Sequence, residues 1–397
     1  MRNTALVLWL EGLDPEQIAS MPALREVAHR GVDLRLVPMP LAEPTVCYYQ
    51  TLTGMGAGKI GRFDSVYPER YVARDTIGLP QGIQGRLLPD VLGIRGLAAT
   101  FEELTDPDAY TTLPEQTTDC AIVRVRAGTD TDSATLDALV RRCGELAPPA
   151  THLLILTDVW RPAPTKLVNI NDFLADIGLL EVGSRRSAEA IVWPETLAYG
   201  LGTGQVWVNL RGREPHGGVR SSQEYQEVRD ALVEQFTTQW LDPDTNEPVV
   251  EQVIKKEAAY TGDFLFSAPD LIVVFRPQYG ASPRAIGLEF DGVSVRTNDA
   301  YAGTSVGAPS ARLIAAGPVF ASGLTATASL IDFAPSVMYL LGQPIPQNVD
   351  GRVITSMFSE SYCQQHPVAY DDTDPGALSQ EEESLIVDRL RTLGYLG

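Results

Sequence analysis

The sequence predicts an α/β fold: a mainly parallel central sheet flanked by helices on both faces, with an inserted α+β subdomain. Three observations predict it. Short, continuous apolar runs alternate with amphipathic helical stretches, the pattern of strands buried on both faces and joined by crossover helices. The chain has 397 residues, 44% hydrophobic and 21% charged, enough for one large core carrying an insertion. Between residues 181 and 262 the texture changes: Trp193-Pro194, Gly200, Gly204, Gly212 and Gly217-Gly218 punctuate a strand, and a long helix follows.

The elements follow in order. Ala5–Leu10 is the first strand, an apolar run too short for a signal peptide that ends at Glu11. Met21–Arg30 is a helix, with Pro22 in its first turn and Gly31 as its stop. Further strands are expected at Asp33–Val37, Ala121–Val125, Leu153–Thr157, Gln205–Leu210, Leu271–Phe275 and Arg312–Ala316. Further helices are expected at Asp132–Glu145, Ile170–Ile177, Ser222–Trp240, Leu330–Leu341 and Gln380–Leu393. The core is therefore expected over residues 1–180 and 263–358, and an insertion or cap over 181–262 that returns to the main sheet at Leu271–Phe275. Residues 359–397 read as an acidic linker and a closing helix.

Composition limits the partners. A formal net charge of −20 opposes binding to nucleic acid or to anionic membrane surfaces. No segment approaches the roughly 20 apolar residues of a membrane span, so no membrane insertion is expected. Cys47, Cys120, Cys143 and Cys363 form no CxxC pair and read as buried thiols in a reducing compartment, so a cytoplasmic location is expected.

Three residues stand where α/β sheets gather functional groups, outside the carboxyl ends of strands. Glu11 is an acid at the tip of the first strand. Thr45 precedes a helical stretch, at an N-terminus whose N–H groups favour an anion. Asp158 is an acid at the tip of Leu153–Thr157. Two carboxylates and a hydroxyl in one crevice can hold a hard divalent cation and activate the hydroxyl as a nucleophile. Each also has a structural role open to it: Glu11 as a helix cap, Thr45 as an N-cap, Asp158 in an Asx-turn. Tyr48 and Tyr49 follow Thr45 closely enough to fill the same cavity, and Trp160 and Trp193 add further stacking surface.

The order of motifs resembles the alkaline phosphatase superfamily, within it the type I phosphodiesterase/nucleotide pyrophosphatase branch. Glu11-Gly12 stands at the family's Asp-Gly, and Met21-Pro22-Ala23-Leu24 through Gly31-Val32 at its first helix. Thr51-Leu52-Thr53-Gly54 and Gly58-Lys59-Ile60-Gly61 are similar to its Ser-x-x-Thr-Gly and Gly-x-His-Gly segments. Asn169-Ile170-Asn171 with Gly178-Leu179-Leu180, Gly212-Arg213-Glu214-Pro215, and Asp332-Phe333-Ala334-Pro335 with Asp350-Gly351-Arg352 continue the series.

The resemblance implies an alkaline-phosphatase-like core and a two-metal site, usually zinc, beside a transiently phosphorylated threonine or serine near Thr45. It also implies histidine ligands that this chain lacks. The family's Ser-Asp-His-Gly is Thr157-Asp158-Val159-Trp160, its middle Asp/His segment is Arg126 to Asp132, and its late histidine segment is Ala302-Gly303-Thr304-Ser305. His29, His152, His216 and His366 match none of these positions. Glu11 and Asp158 alone are expected to hold no metal, or one weakly bound magnesium or manganese ion, with zinc disfavoured. The expected function is therefore a phosphodiesterase/pyrophosphatase-like protein with a degenerate metal site, catalytically weak or inactive and retained for binding or assembly. The alternative is an active metal-dependent phosphoester or phosphodiester hydrolase using Thr45 and one divalent ion; a third reading is a lectin-like or partner-binding module. The ligand class left open is a phosphorylated small molecule, and the assembly class a protein partner or a second copy of the chain.

Overall fold

A computed structural model of the chain describes residues 3–39, 43–64, 66–69, 71–75, 86–105, 118–126, 132–146, 151–160, 163–183, 190–201, 203–281, 294–298 and 309–372. The helix expected at Gln380–Leu393 lies outside them.

Strands β1 (Thr4–Glu11), β2 (Val32–Val37), β3 (Ala99–Leu104), β4 (Cys120–Arg126) and β5 (Thr151–Thr157) lead into the central sheet. Strands β6 (Ala198–Leu201), β7 (Gln205–Val208), β8 (Val250–Lys255) and β9 (Leu271–Phe275) form a separate sheet, and β10 (Ala311–Ala316) and β11 (Leu324–Ser329) complete the first. The central sheet has seven strands in the order β11–β2–β10–β5–β1–β4–β3, and only β10 runs against the others. β1 occupies an interior place because Ala5 to Leu10 are all apolar, and each is at most 3% exposed. Of the central-sheet strands, sequence reading passed over β3 and β11, which lie at the two edges and carry Glu102, Glu103, Thr325 and Thr327 among their apolar residues.

Alternation along β1 divides the core into two faces. Leu6, Leu8 and Leu10 pack on Leu24 and Val27 of α2 (Pro22–Arg30), which follows α1 (Pro15–Ser20). Val7 and Trp9 point the other way, into a cluster with Val46 and Leu52 of α3 (Pro44–Thr53). Leu136, Leu139 and Val140 of α4 (Ser133–Leu146) join the first face. Gly31 stops α2 for a steric reason: a Cβ there would lie 1.9 Å from the Ala315 carbonyl oxygen on β10.

The second sheet is antiparallel, in the order β8–β9–β7–β6. Leu271–Phe275 is thus a strand of this sheet and not the return to the central one, which comes at β10. Periodicity could not separate the two, since both sites bury a continuous apolar run. The second sheet has its own core, built with Phe173 of α5 (Ile170–Asp176) and with Leu232 and Phe236 of α6 (Ser222–Thr238). There Phe173 stacks on Trp240 at 4.6 Å. Asp270, fully buried, accepts from Arg213 Nη2 at 2.6 Å, Lys256 Nζ at 2.9 Å, Tyr225 Oη at 2.6 Å and the Val208 N–H at 2.7 Å.

The residues that carried the family resemblance hold this framework together. Asp350 accepts from the Gly56 N–H at 2.8 Å and pairs with Lys59 at 2.8 Å, while the Gly54 carbonyl takes the Asp350 and Gly351 N–H groups. Asp332, just before α7 (Phe333–Leu340), accepts from the N–H of Ser329 and of Arg352. Asn171 exchanges two hydrogen bonds with the Gly200 backbone, and Arg213 serves Asp270.

Candidate functional site

The carboxyl ends of β1, β4 and β5 lie side by side, and register decides what meets there. Trp9 stands opposite Arg124 and Glu11 opposite Arg126 across β1 and β4. Asp158 follows β5, its N–H donating to the Leu10 carbonyl at 3.2 Å. Residues two apart in a strand share a face, so Trp9 and Glu11 project with Arg124 and Arg126 on the side that α3 covers.

These groups are already partnered. The Glu11 carboxylate pairs with Arg124, and its second oxygen lies 3.6 Å from Arg126 Nε. Arg124 pairs in turn with Glu103 of β3 at 3.0 Å. Its guanidinium lies 5.2 Å from the centroid of Trp9 and 4.7 Å from that of Tyr48, two rings stacked at 5.5 Å. Trp9 Nε1–H donates to Asp158 Oδ1 at 2.8 Å. Burial raises the pKa of Asp158 above the usual carboxylate range, against the lowering effect of the Trp9 hydrogen bond and of Arg124 and Arg126. Burial likewise lowers the pKa of Arg124, which Asp158 opposes, yet a guanidinium keeps its proton throughout. Burial, reinforced by Glu103, pushes the Tyr48 hydroxyl up to about 12.

Thr45 is the second residue of α3, one turn before Tyr48. Glu43, not Thr45, caps this helix: the Thr45 N–H donates to Glu43 Oε2 at 3.1 Å. A carboxylate therefore occupies the helix N-terminus where a phosphate would be drawn. Burial raises the pKa of Glu43, opposed by the Thr45 hydrogen bond and by Arg62. Tyr49 faces Arg62, at 5.6 Å, and meets the Tyr48 ring edge-on at 5.2 Å. So Glu11 and Asp158 are brought together through Arg124 and Trp9, while the contacts of Thr45 run to Glu43.

The histidines lie elsewhere. His152 is buried against Phe320, with Nε2 3.2 Å from Asn3 Oδ1. His216 stacks on Tyr71 and His366 on Tyr362, and His29 is exposed on α2. Trp193 stacks on Tyr71 at 3.7 Å beside the second sheet. Residues 127–131 and Ala302 to Ser305 lie outside the described residues.

Sequence reading passed over Arg124, Arg126, Glu103 and the indole of Trp9. A signal existed for the arginines. Arg124-Val125-Arg126 breaks an apolar strand at its carboxyl end, and alternation must put both cations on one face.

No family model matches the chain, and no curated protein does. Solved structures match over most of its length. Murine ectonucleotide pyrophosphatase/phosphodiesterase 5 is 11% identical with a TM-score of 0.53, covering 90% of this chain and 100% of that one. The human protein of the same name is 12% identical with a TM-score of 0.53, covering 91% and 99%. The fold is that of the nucleotide pyrophosphatase/phosphodiesterases. An inactive form of the murine protein in complex with AMP also matches, at 11% identity over 90% and 100% of the two chains, with a TM-score of 0.54.

The motif resemblance in the sequence implies a two-metal centre, and the described residues do not fit one. Among them, no group of three or more His, Cys, Asp or Glu side chains is gathered to hold a metal ion. The donor chemistry argues the same way. Glu11 and Glu103 are engaged by Arg124, and one Asp158 oxygen takes an indole N–H. No helix among the described residues is long and apolar enough to cross a membrane.

Proposed function

We propose that this chain is a phosphodiesterase/pyrophosphatase-like protein whose metal-dependent catalysis is lost or strongly reduced, and which keeps the fold for binding or assembly. The observation that carries this reading is the pairing of Glu11 with Arg124 and Arg126 beside Asp158. At an effective dielectric near 20, a unit charge about 5 Å from a divalent ion contributes roughly 7 kcal/mol, attractive from a carboxylate and repulsive from a guanidinium. The enclosed Arg124 thus cancels most of what Glu11 would supply at that range, and the more exposed Arg126 opposes it less. Glu11, Asp158 and Glu103 against Arg124 and Arg126 leave a formal charge of about −1 when all are ionised, too little to hold a hard divalent ion firmly. The capped N-terminus of α3 adds to this, because Glu43 takes an N–H that would otherwise bind phosphate.

The test is turnover of p-nitrophenyl phosphate and of the p-nitrophenyl ester of thymidine monophosphate, with added manganese or zinc. The expected result is no rate above that of Thr45→Ala. Metal-dependent turnover abolished by Thr45→Ala would establish instead a hydrolase with Thr45 as nucleophile.

A further inference from the structure

We propose that Arg124 is a covalently tethered replacement for a metal ion, its guanidinium holding the cation position among the carboxylates at the carboxyl ends of β1, β3 and β5. The inference rests on the reading of a silent site and names the residue responsible for it.

Arg124 lies two residues short of the end of β4, opposite Trp9, so its long side chain reaches forward to Glu11 at the tip of the neighbouring strand. It is enclosed there: Arg124 and Glu11 are only 14% and 15% exposed in their side chains. Its edge meets carboxylates from β1 and β3, and the rings of Trp9 and Tyr48 lie against it. A planar, delocalised cation suits such a setting, giving hydrogen bonds along its edge and a face to aromatic rings. Trp9 serves both sides of the arrangement, with its ring beside Arg124 and its N–H on Asp158.

Arg126 is a poor candidate for the same role. It is 53% exposed and its partner Glu103 is 41% exposed, so solvent screens that pair. Arg124 is the enclosed charge, and it cannot be titrated away in the range where proteins fold. A metal ion leaves when its concentration falls; this cation does not.

The experiment measures binding of manganese and of zinc to chelator-treated protein by equilibrium dialysis with metal analysis. It compares the wild type with Arg124→Met, Arg124→Lys and the Arg124→Met/Glu11→Gln double variant. The wild type is expected to bind no ion at this position. Arg124→Met is expected to bind manganese at least tenfold more tightly than the upper limit set by the wild type, and the double variant to lose that gain. Arg124→Lys keeps a positive charge in place and is expected to refuse the ion as the wild type does. A folded Arg124→Met protein with no gain in affinity would overturn the proposal, as would a gain that survives Glu11→Gln. Should Arg124→Met not fold, stoichiometric manganese on Arg124→Lys would overturn it and continued refusal would support it. The two readings fail separately. Wild-type turnover unchanged by Glu11→Gln would sink the silent-site reading alone, whereas metal on the wild type that is lost in Glu11→Gln would sink the role of Arg124.

Discussion

Replacing Trp9 by phenylalanine isolates one bond in the candidate site. The ring keeps most of its contact with Tyr48 and Arg124, but the N–H that meets Asp158 at 2.8 Å is removed. Asp158 is a partly buried carboxylate, and a hydrogen bond to such a charged group is worth about 1.5–3 kcal/mol. Trp9→Phe is therefore expected to lower the unfolding free energy near neutral pH by about 2 kcal/mol, once a smaller packing loss is included. The pH dependence identifies the cause. Burial raises the folded pKa of Asp158 above 3.8, so its contribution is fully present below 3.8 and is lost as pH rises through the folded value. Trp9→Phe removes a group that favours the ionised form, so the deficit belongs to the carboxylate and must shrink as Asp158 takes up a proton. Urea unfolding of both proteins, from neutral pH down toward 3.8, reads it directly. A deficit of the same size at both ends would refute the hydrogen-bond account and leave packing as the cause.

Two further outcomes test the framework. Asp270→Ala strips Arg213 and Lys256 of a fully buried partner, and loss of one member of such a group costs about 3–5 kcal/mol; a loss below about 1 kcal/mol in chemical unfolding would contradict the network. His152 is 1% exposed, and burial lowers its pKa from 6.5 to about 4. Its contribution is fully present above 6.5 and is lost as pH falls toward about 4, amounting to at most about 3 kcal/mol. His152→Gln, which cannot charge, is expected to lose less stability than the wild type over that interval, and parallel curves would count against this origin.

Much of the molecule was legible before any coordinates. The apolar run of β1 reads as a strand buried on both faces, and Gly31 as the stop of α2. The edge strands β3 and β11 were not legible, because one exposed face dilutes the apolar signal with Glu102, Glu103, Thr325 and Thr327. Thr45 reads as a cap or as a nucleophile, and neither its spacing nor its neighbours reveals that Glu43 holds the helix end. Tyr48 and Tyr49 look alike in sequence, yet helix geometry sends one to Trp9 and the other to Arg62.

The sequence by itself determined the α/β architecture, since continuous apolar runs alternating with amphipathic stretches follow from residue order alone. It also determined that none of the four histidines stands at a ligand position of the family the chain resembles. Only the tertiary structure decided what does accompany them. Arg124 meets Glu11 because β4 pairs with β1 in one register, and Trp9 meets Asp158 because β5 lies on the other side. A one-residue slip in either pairing would send those side chains to the opposite face, and strand register is a property of the assembled sheet.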